Sequence, residues 1–405
     1  MKAKLSFETN YDVVVCGGGV AGVAAALAAA RKGLKTCLLE KTVFTGGLAT
    51  TGNVLIYLPL NNRQGKQLIF GLSEEFLRAC FKYGPGTLCL INDFTKPHQN
   101  LFNPASLVLS LDEILEQSGA DIWLDTLVCG AKLERGKLLG VEVENKSGRG
   151  LVKGKRFVDA TGDADLAFRA GAPCETSLSF LSLWATEANS QLAQEILSES
   201  GASAAHLLSA VGAWDDGSNA PKGMKKFSGV DSKDVSEFIL TGRRLLREKY
   251  KEEQEKLGPN GRAKKFPAGL PAMANFRTTR RIEAQTVLGN GGQFKHFDDC
   301  AGLVPEWKRG EEVWELPYSA LVPKKVKNLL AAGRCIWTKD AAWSVFRVIQ
   351  AAAMCGEVAG LASALSIEQS VSPDALPIGI LQTELKKRSF LLDVRELGIQ
   401  QNAKS

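Results

Sequence analysis

The chain has 405 residues, too long for one ordinary core and long enough for two large ones. Apolar residues make up 45% and charged residues 23%, a normal soluble globular balance, and the formal charge of +6 is modest. Basic residues are interspersed with acids, so the charge fits an anionic ligand and argues against a nucleic-acid partner. Nine cysteines are scattered without a C-x-x-C pair. They read as reduced core residues of a reducing, cytoplasmic compartment, with no dithiol pair for redox work.

The β-branched run at residues 11–16 has the character of a buried parallel strand. Residues 17–22 are a glycine turn, 21–32 an alanine-rich helix closed by Gly33, and 35–40 a second strand. Together they make a βαβ unit. Residues 13–30 are uncharged and close to bilayer length, but four glycines in six positions divide them. That division is what a strand–turn–helix requires and a membrane span does not.

A Gly- and Thr-rich irregular segment follows Lys41. Helices are predicted over 73–82 and from Pro104 to about Gly119, the second with Asn103 as N-cap. Residues 121–159 read as a β-meander with turns at Gly130, Gly136 and Gly148. From about residue 174 to 275 the pattern changes. A strand at 177–184 gives way to helices, the clearest at 231–257, and the region is read as an inserted domain. Strands are then predicted at 316–321 and 326–332, a long helix at 341–364, and a short helix or frayed tail from Glu368.

The first chemical motif is Gly17-Gly18-Gly19-Val20-Ala21-Gly22, a G-x-G-x-x-G between strand and helix. Gly17 permits the tight turn, Gly19 lets a pyrophosphate approach the backbone, and Gly22 lets helix and strand pack closely. The helix N-terminus offers free N–H groups to phosphate. Glu40, ending the second strand, accepts ribose hydroxyls and repels a 2′-phosphate. These residues point to a dinucleotide without choosing between NAD and FAD.

Three further segments resemble the FAD-dependent oxidoreductases of the glutathione-reductase type. Glu40 and Lys41 followed by Gly46, Gly47 and Leu48 is similar to that family's acid and Gly doublet. Ala160-Thr161-Gly162-Asp163 resembles its A-T-G-D motif. Leu316-Pro317-Tyr318, with Ala332-Gly333-Arg334 after it, resembles the C-terminal flavin segment. The resemblance implies an α/β fold. A doubly wound Rossmann-type FAD/NAD(P)-binding domain would be formed by residues 1–173 and 276–367, with a mixed substrate or cap domain at 174–275 and a tail at 368–405. It implies FAD as cofactor, a small-molecule substrate, and a second electron acceptor such as oxygen, nicotinamide or a protein. It also implies a late helix N-terminus aimed at the flavin, with Arg347 opening that helix. Related flavoproteins often carry Gly-Asp where this chain has Gly333-Arg334, which puts the acidic ribityl contact in doubt.

Residues for the chemical step are less marked. Tyr318 is a candidate proton donor, and Arg277, Arg280 and Arg281 form a basic cluster able to clamp an anionic substrate or a flavin phosphate. The three histidines, His98, His206 and His296, read as structural, and no metal set is apparent. The rival readings are an NAD-dependent dehydrogenase and a non-catalytic flavin-binding protein that acts through partners. The first requires neither the doublet nor the two later motifs.

Overall fold

The computed structural model describes residues 5–62, 64–84, 100–190, 207–309 and 311–398. The β-branched run after Tyr11 forms β1 (Phe7–Cys16), an inner strand of a seven-stranded sheet. Val13, Val14, Val15 and Cys16 are fully buried, as a parallel strand covered on both faces must be. β2 (Thr36–Leu39) and β3 (Asp121–Trp123) extend the sheet in parallel on one side. On the other side β4 (Leu127–Glu134), β5 (Lys137–Asn145) and β6 (Gly148–Asp159) run antiparallel to one another, with β6 parallel to β1. Beyond the β5 pairing, the last residues of β6 pair in parallel with β7 (Leu329–Ala331).

The expected meander over 121–159 therefore begins only at Leu127. Asp121–Trp123 joins β2 instead, held by Glu40 N–H donating to the Trp123 carbonyl. Such a short strand carries too little periodicity to declare its partner.

Two buried helices cross against this sheet. All of α1 (Val20–Ala30) is buried, and nearly all of α2 (Ile349–Glu368). They approach at glycines: a Cβ on Gly356 would lie 2.0 Å from the Ala21 carbonyl oxygen, and one on Gly360 2.3 Å from that of Ala25. α2 is long and apolar enough to cross a membrane, but its apolar window is wholly buried within the fold, so it is a core helix here.

The late helix expected at 341–364 is broken. Asp340–Phe346 and α2 are separate helices, with Val348 extended between them at φ −76°, ψ 159°. Arg347 therefore sits at the break and does not open a continuous helix. The strand expected at 316–321 also stops early. Val313–Pro317 is a strand, and Tyr318–Leu321 is a short 3-10 turn. Tyr318 N–H and Ser319 N–H both turn toward Asp299, which takes the backbone off the ladder. Past residue 368 the chain forms a helix at Ile378–Lys386, docked through Leu381 and Leu385.

Residues of the expected insert, with Phe276 just past its end, form a second apolar cluster that includes Leu181, Leu183, Phe238 and Leu246. The insert's chain enters and leaves through paired antiparallel strands, Cys174–Thr176 and Arg280–Ile282. Among its described residues it also holds strands beyond the one expected at 177–184. A three-stranded antiparallel sheet of Leu207–Gly212, Ser182–Asn189 and Lys265–Gly269 carries one long helix, Ser232–Lys256. That helix begins where predicted, with the Asp231 carboxylate accepting from Lys233 and Asp234 N–H.

Candidate functional site

Four parallel strands end on one edge of the sheet, and each hands its next residues to a single cavity of about 620 Å³. Gly17 and Gly19 follow β1, Glu40 and Lys41 follow β2, Ala160, Thr161 and Gly162 follow β6, and Ala332, Gly333 and Arg334 follow β7. The carboxyl end of an open parallel sheet, where the strand order reverses, is where such folds bind ligands. Here the reversal lies at β1, with β2 on one side and β6 on the other.

The glycine turn is shaped by close contacts. Gly17 has φ +99°, and a Cβ there would lie 2.5 Å from the Ala160 carbonyl oxygen. A Cβ on Gly22 would fall 1.7 Å from the Gly17 carbonyl oxygen, so Gly22 is needed for packing and lies behind the cavity wall. Gly19 differs. Its backbone is ordinary extended chain at φ −65°, ψ 174°, and a Cβ would meet nothing nearer than Gly47 Cα at 3.9 Å. A side chain at Gly19 would occupy ligand space. Val20 and Ala21 continue the lining along the first turn of α1.

Gly46 and Gly47 both take positive φ, and Gly46 N–H donates to the Gly18 carbonyl at 2.8 Å. The doublet therefore lies directly on the first turn, and Leu48 follows it along the cavity. Glu40 is buried at the cavity edge. Its carboxylate accepts from Gly18 N–H at 2.6 Å and from Thr42 N–H and Oγ1 at 2.8 Å, which fixes its orientation.

The A-T-G-D segment divides its labour. Thr161 and Gly162 line the cavity, while Asp163 stands behind them and accepts from Arg334 at 2.6 Å and Thr279 at 2.8 Å. Burial alone would raise Asp163, but Arg334, Thr279 and Lys41 more than offset it and hold its pKa below the usual carboxylate value. The Gly333-Arg334 departure thus has a partner. Arg334 lines the cavity with its charge tied to Asp163. The buried Asp159 carboxylate accepts from Thr161 N–H, Thr161 Oγ1 and Ala167 N–H, and burial raises its pKa to about 6.

Two proposed catalytic residues lie elsewhere. Tyr318 is buried outside the cavity lining, its hydroxyl donating to the Pro373 carbonyl at 2.8 Å. Burial pushes its pKa far up, so it has neither access nor acidity. Arg280 also faces away, paired with Asp165 at 2.5 Å and stacked over Phe168. Arg281 pairs with Glu175 at 2.6 Å. Of that basic cluster only Arg277 reaches the cavity.

Arg277 does not stand alone there. Asp215, from a loop of the insert, accepts from Arg277 Nε at 2.7 Å and also pairs with Arg347 at the helix break. Burial would raise Asp215, but Arg347, Arg277 and Lys308 hold its pKa down. Trp184 and Trp214 of the insert, with Phe276 and Trp307 beside them, add an aromatic wall. Asp215 and Trp307 were not expected, because no local motif marks either. Val348, Ile349 and Ala352, the first turn of α2, line the opposite side.

Two buried polar atoms on the cavity wall have no hydrogen-bond partner among the described residues: Asn275 Oδ1 and Arg347 Nε. Buried polar groups are rarely left so unless a ligand or water meets them. Separately, the open space at Gly19, with Gly46 and Gly47 lying on the same turn, fits an elongated nucleotide cofactor in this cavity.

The remaining polar features are structural. Among the described residues, His296, Glu315 and Asp393 are the group close enough to hold a metal. The Arg395 guanidinium already lies there, 3.0 Å from His296 Nε2 and paired with Asp393. His98 and His206 lie outside the described residues. Cys335 is fully buried, its thiol donating to the Asp159 carbonyl.

Residues 12–179 and 217–385 match the family model described as FAD dependent oxidoreductase. A digeranylgeranylglycerophospholipid reductase of Picrophilus torridus is 28% identical over 162 residues, covering 38% of this chain and 40% of that protein. A thioredoxin reductase of Ureaplasma parvum is 42% identical over 67 residues, 16% of this chain and 22% of that protein. The matched stretches therefore span less than half of either relative. Among solved structures, a geranylgeranyl bacteriochlorophyll reductase-like protein of Thermoplasma acidophilum has a TM-score of 0.44 at 16% identity, covering 94% of this chain and 84% of that one. The L-proline dehydrogenase of P. horikoshii has a TM-score of 0.46 at 12% identity, covering 95% of this chain and 100% of that one.

Proposed function

This chain belongs to the FAD dependent oxidoreductase family, with FAD as its cofactor, and from that premise we propose that it exchanges a hydride between a small organic substrate and FAD in the strand-end cavity. The observation that carries the reading is that one cavity is walled on one side by four strand ends and on the other by residues of the insert. Cofactor and substrate then share one space, with residues 1–173 and 276–367 holding the first and 174–275 covering the second. Such a shared space supports the resemblance to the glutathione-reductase-type flavoproteins that the motifs carry.

When bound, FAD supplies the two-electron chemistry, and the protein supplies binding, orientation and electrostatics. Gly19, Val20 and Ala21 would offer backbone N–H groups and the positive end of α1 to the pyrophosphate, while Gly17, whose N–H is spent on the Leu39 carbonyl, shapes the turn. Glu40 receives the ribose hydroxyls, with Lys41 beside it. Gly46, Gly47 and Leu48 would let the loop pass close to the cofactor, with Thr161, Gly162 and Gly333 also lining the cavity. The free N–H groups of the first turn of α2 would favour negative charge developing on a bound flavin. Asp163 acts indirectly, by fixing Arg334. Turnover would need a second electron acceptor besides the substrate.

The test is an anaerobic spectrum of the FAD-loaded protein against a panel of organic hydride donors. Bleaching by at least one donor, and recovery on adding an acceptor, is the expected outcome. Flavin that dithionite bleaches, but that no organic donor reduces and no reduced organic partner re-forms, would contradict hydride exchange.

A further inference from the structure

Resting on that reading, we infer that the insert side of the cavity is a carboxylate-binding subsite for a substrate with an apolar, ring-sized body. Arg277 and Arg347 come from parts of the chain 70 positions apart and converge on one carboxylate, Asp215. Two guanidinia sharing one carboxylate leave a net positive charge on the wall of a largely apolar cavity. Such a charge is costly away from water unless an anion meets it.

The donors are not used up. Asp215 takes Arg277 Nε, the Ala213 carbonyl takes Arg277 Nη1, and Arg347 gives Asp215 one Nη. Arg347 Nε is buried without a hydrogen-bond partner among the described residues. Asp215 thus aligns two planar donors toward the cavity and leaves N–H groups for a second carboxylate, the geometry guanidinium recognises best. The other arginine near this wall, Arg334, is neutralised by Asp163 and does not compete.

The surroundings indicate what the anion is attached to. Trp184, Trp214, Phe276 and Trp307 line the same region, and aromatic walls with a few placed polar groups select a flat or apolar body. Two of the four, Trp184 and Trp214, belong to the insert together with Asp215, and Phe276 follows it directly. The anion is therefore assigned to the substrate, apart from the cofactor phosphates, whose glycine turn lies at the β1 end.

The probe pair is benzoate and its neutral isostere benzamide, titrated into FAD-loaded protein. Binding is read by flavin absorption and independently by tryptophan fluorescence. Benzoate is expected to bind on the order of tenfold or more tighter than benzamide, as one charge-assisted hydrogen bond implies. Arg277→Gln should remove that preference while retaining FAD. Should Arg277→Gln fail to fold, Arg347→Gln carries the same expectation, and Arg277→Lys should recover part of the preference.

Equal affinity for benzoate and benzamide, no binding of either, or an Arg277→Gln variant that still prefers benzoate would each overturn the subsite. Loss of FAD from folded Arg277→Gln would overturn it too, by giving the guanidinium to the cofactor. The two readings fail separately. A benzoate-selective protein whose flavin exchanges no hydride sinks only the proposed activity, and a reducible flavoenzyme indifferent to benzoate sinks only the subsite.

Discussion

Arg334 shows how a residue that departs from a motif can still be accommodated by the site. An arginine beside the flavin segment would add charge to a buried wall, but Asp163 pairs with it at 2.6 Å and cancels most of that charge. The two positions are far apart in sequence, so their pairing could not be read there. The glycine turn, the acid after β2 and the doublet are legible because each requirement is local: a positive φ, a close approach, or a carboxylate at a strand end. Asp215 is the opposite case, a loop acid whose role exists only once Arg277 and Arg347 are folded around it.

Glu357 gives a prediction at the same scale. It is buried on α2, its carboxylate accepting from Leu72 N–H at 2.6 Å, with Arg388 at 3.4 Å. Burial raises its pKa from 4.5 to about 7, against the opposing Leu72 hydrogen bond and Arg388. A carboxyl whose folded pKa is raised binds more protons folded than unfolded, so its contribution to stability falls as pH rises from 4.5 to about 7. Glu357→Gln keeps an acceptor for Leu72 and cannot ionise. Its stability relative to wild type should therefore rise across that window, by up to about 3 kcal/mol, and level off above it. Urea unfolding at a series of pH values checks this. A difference that stays flat with pH would refute it.

At the scale of elements, the crossing of α1 and α2 positions the cavity floor. Sequence composition showed two small-residue helices but not that they meet, nor that the second begins only after a break. The break was hidden because Val345-Phe346-Arg347-Val348-Ile349 carries no Gly or Pro to mark a stop, while Arg347 is drawn toward Asp215 by a tertiary contact. Two of the insert's strands, Leu207–Gly212 and Lys265–Gly269, were missed for a related reason, being short and paired across distant segments. Gly356→Val should cost about 1–3 kcal/mol, because its side chain would drive into the Ala21 carbonyl. Gly379→Ala, in the helix Ile378–Lys386 with open space at its Cβ, should be neutral or stabilising by up to about 1 kcal/mol. Chemical denaturation of both variants decides. Equal effects would mean that α1 and α2 do not meet at this glycine.

For the whole molecule, the parallel sheet and its strand-end motifs were readable because periodicity and turn chemistry are short-range. The meeting of the insert with the broken late helix was not, since it depends on chain closure over many residues. The account stands on that single cavity being the FAD site. Gly19→Val tests this most directly, because its backbone conformation suits valine and its Cβ points into open space rather than into protein. FAD content per folded chain, measured after incubation with excess FAD, should be about one for wild type. The Gly19→Val protein should fold as wild type does and retain little or no FAD. A wild-type protein that stays colourless, or a folded Gly19→Val protein that holds FAD as well as wild type, would contradict the account.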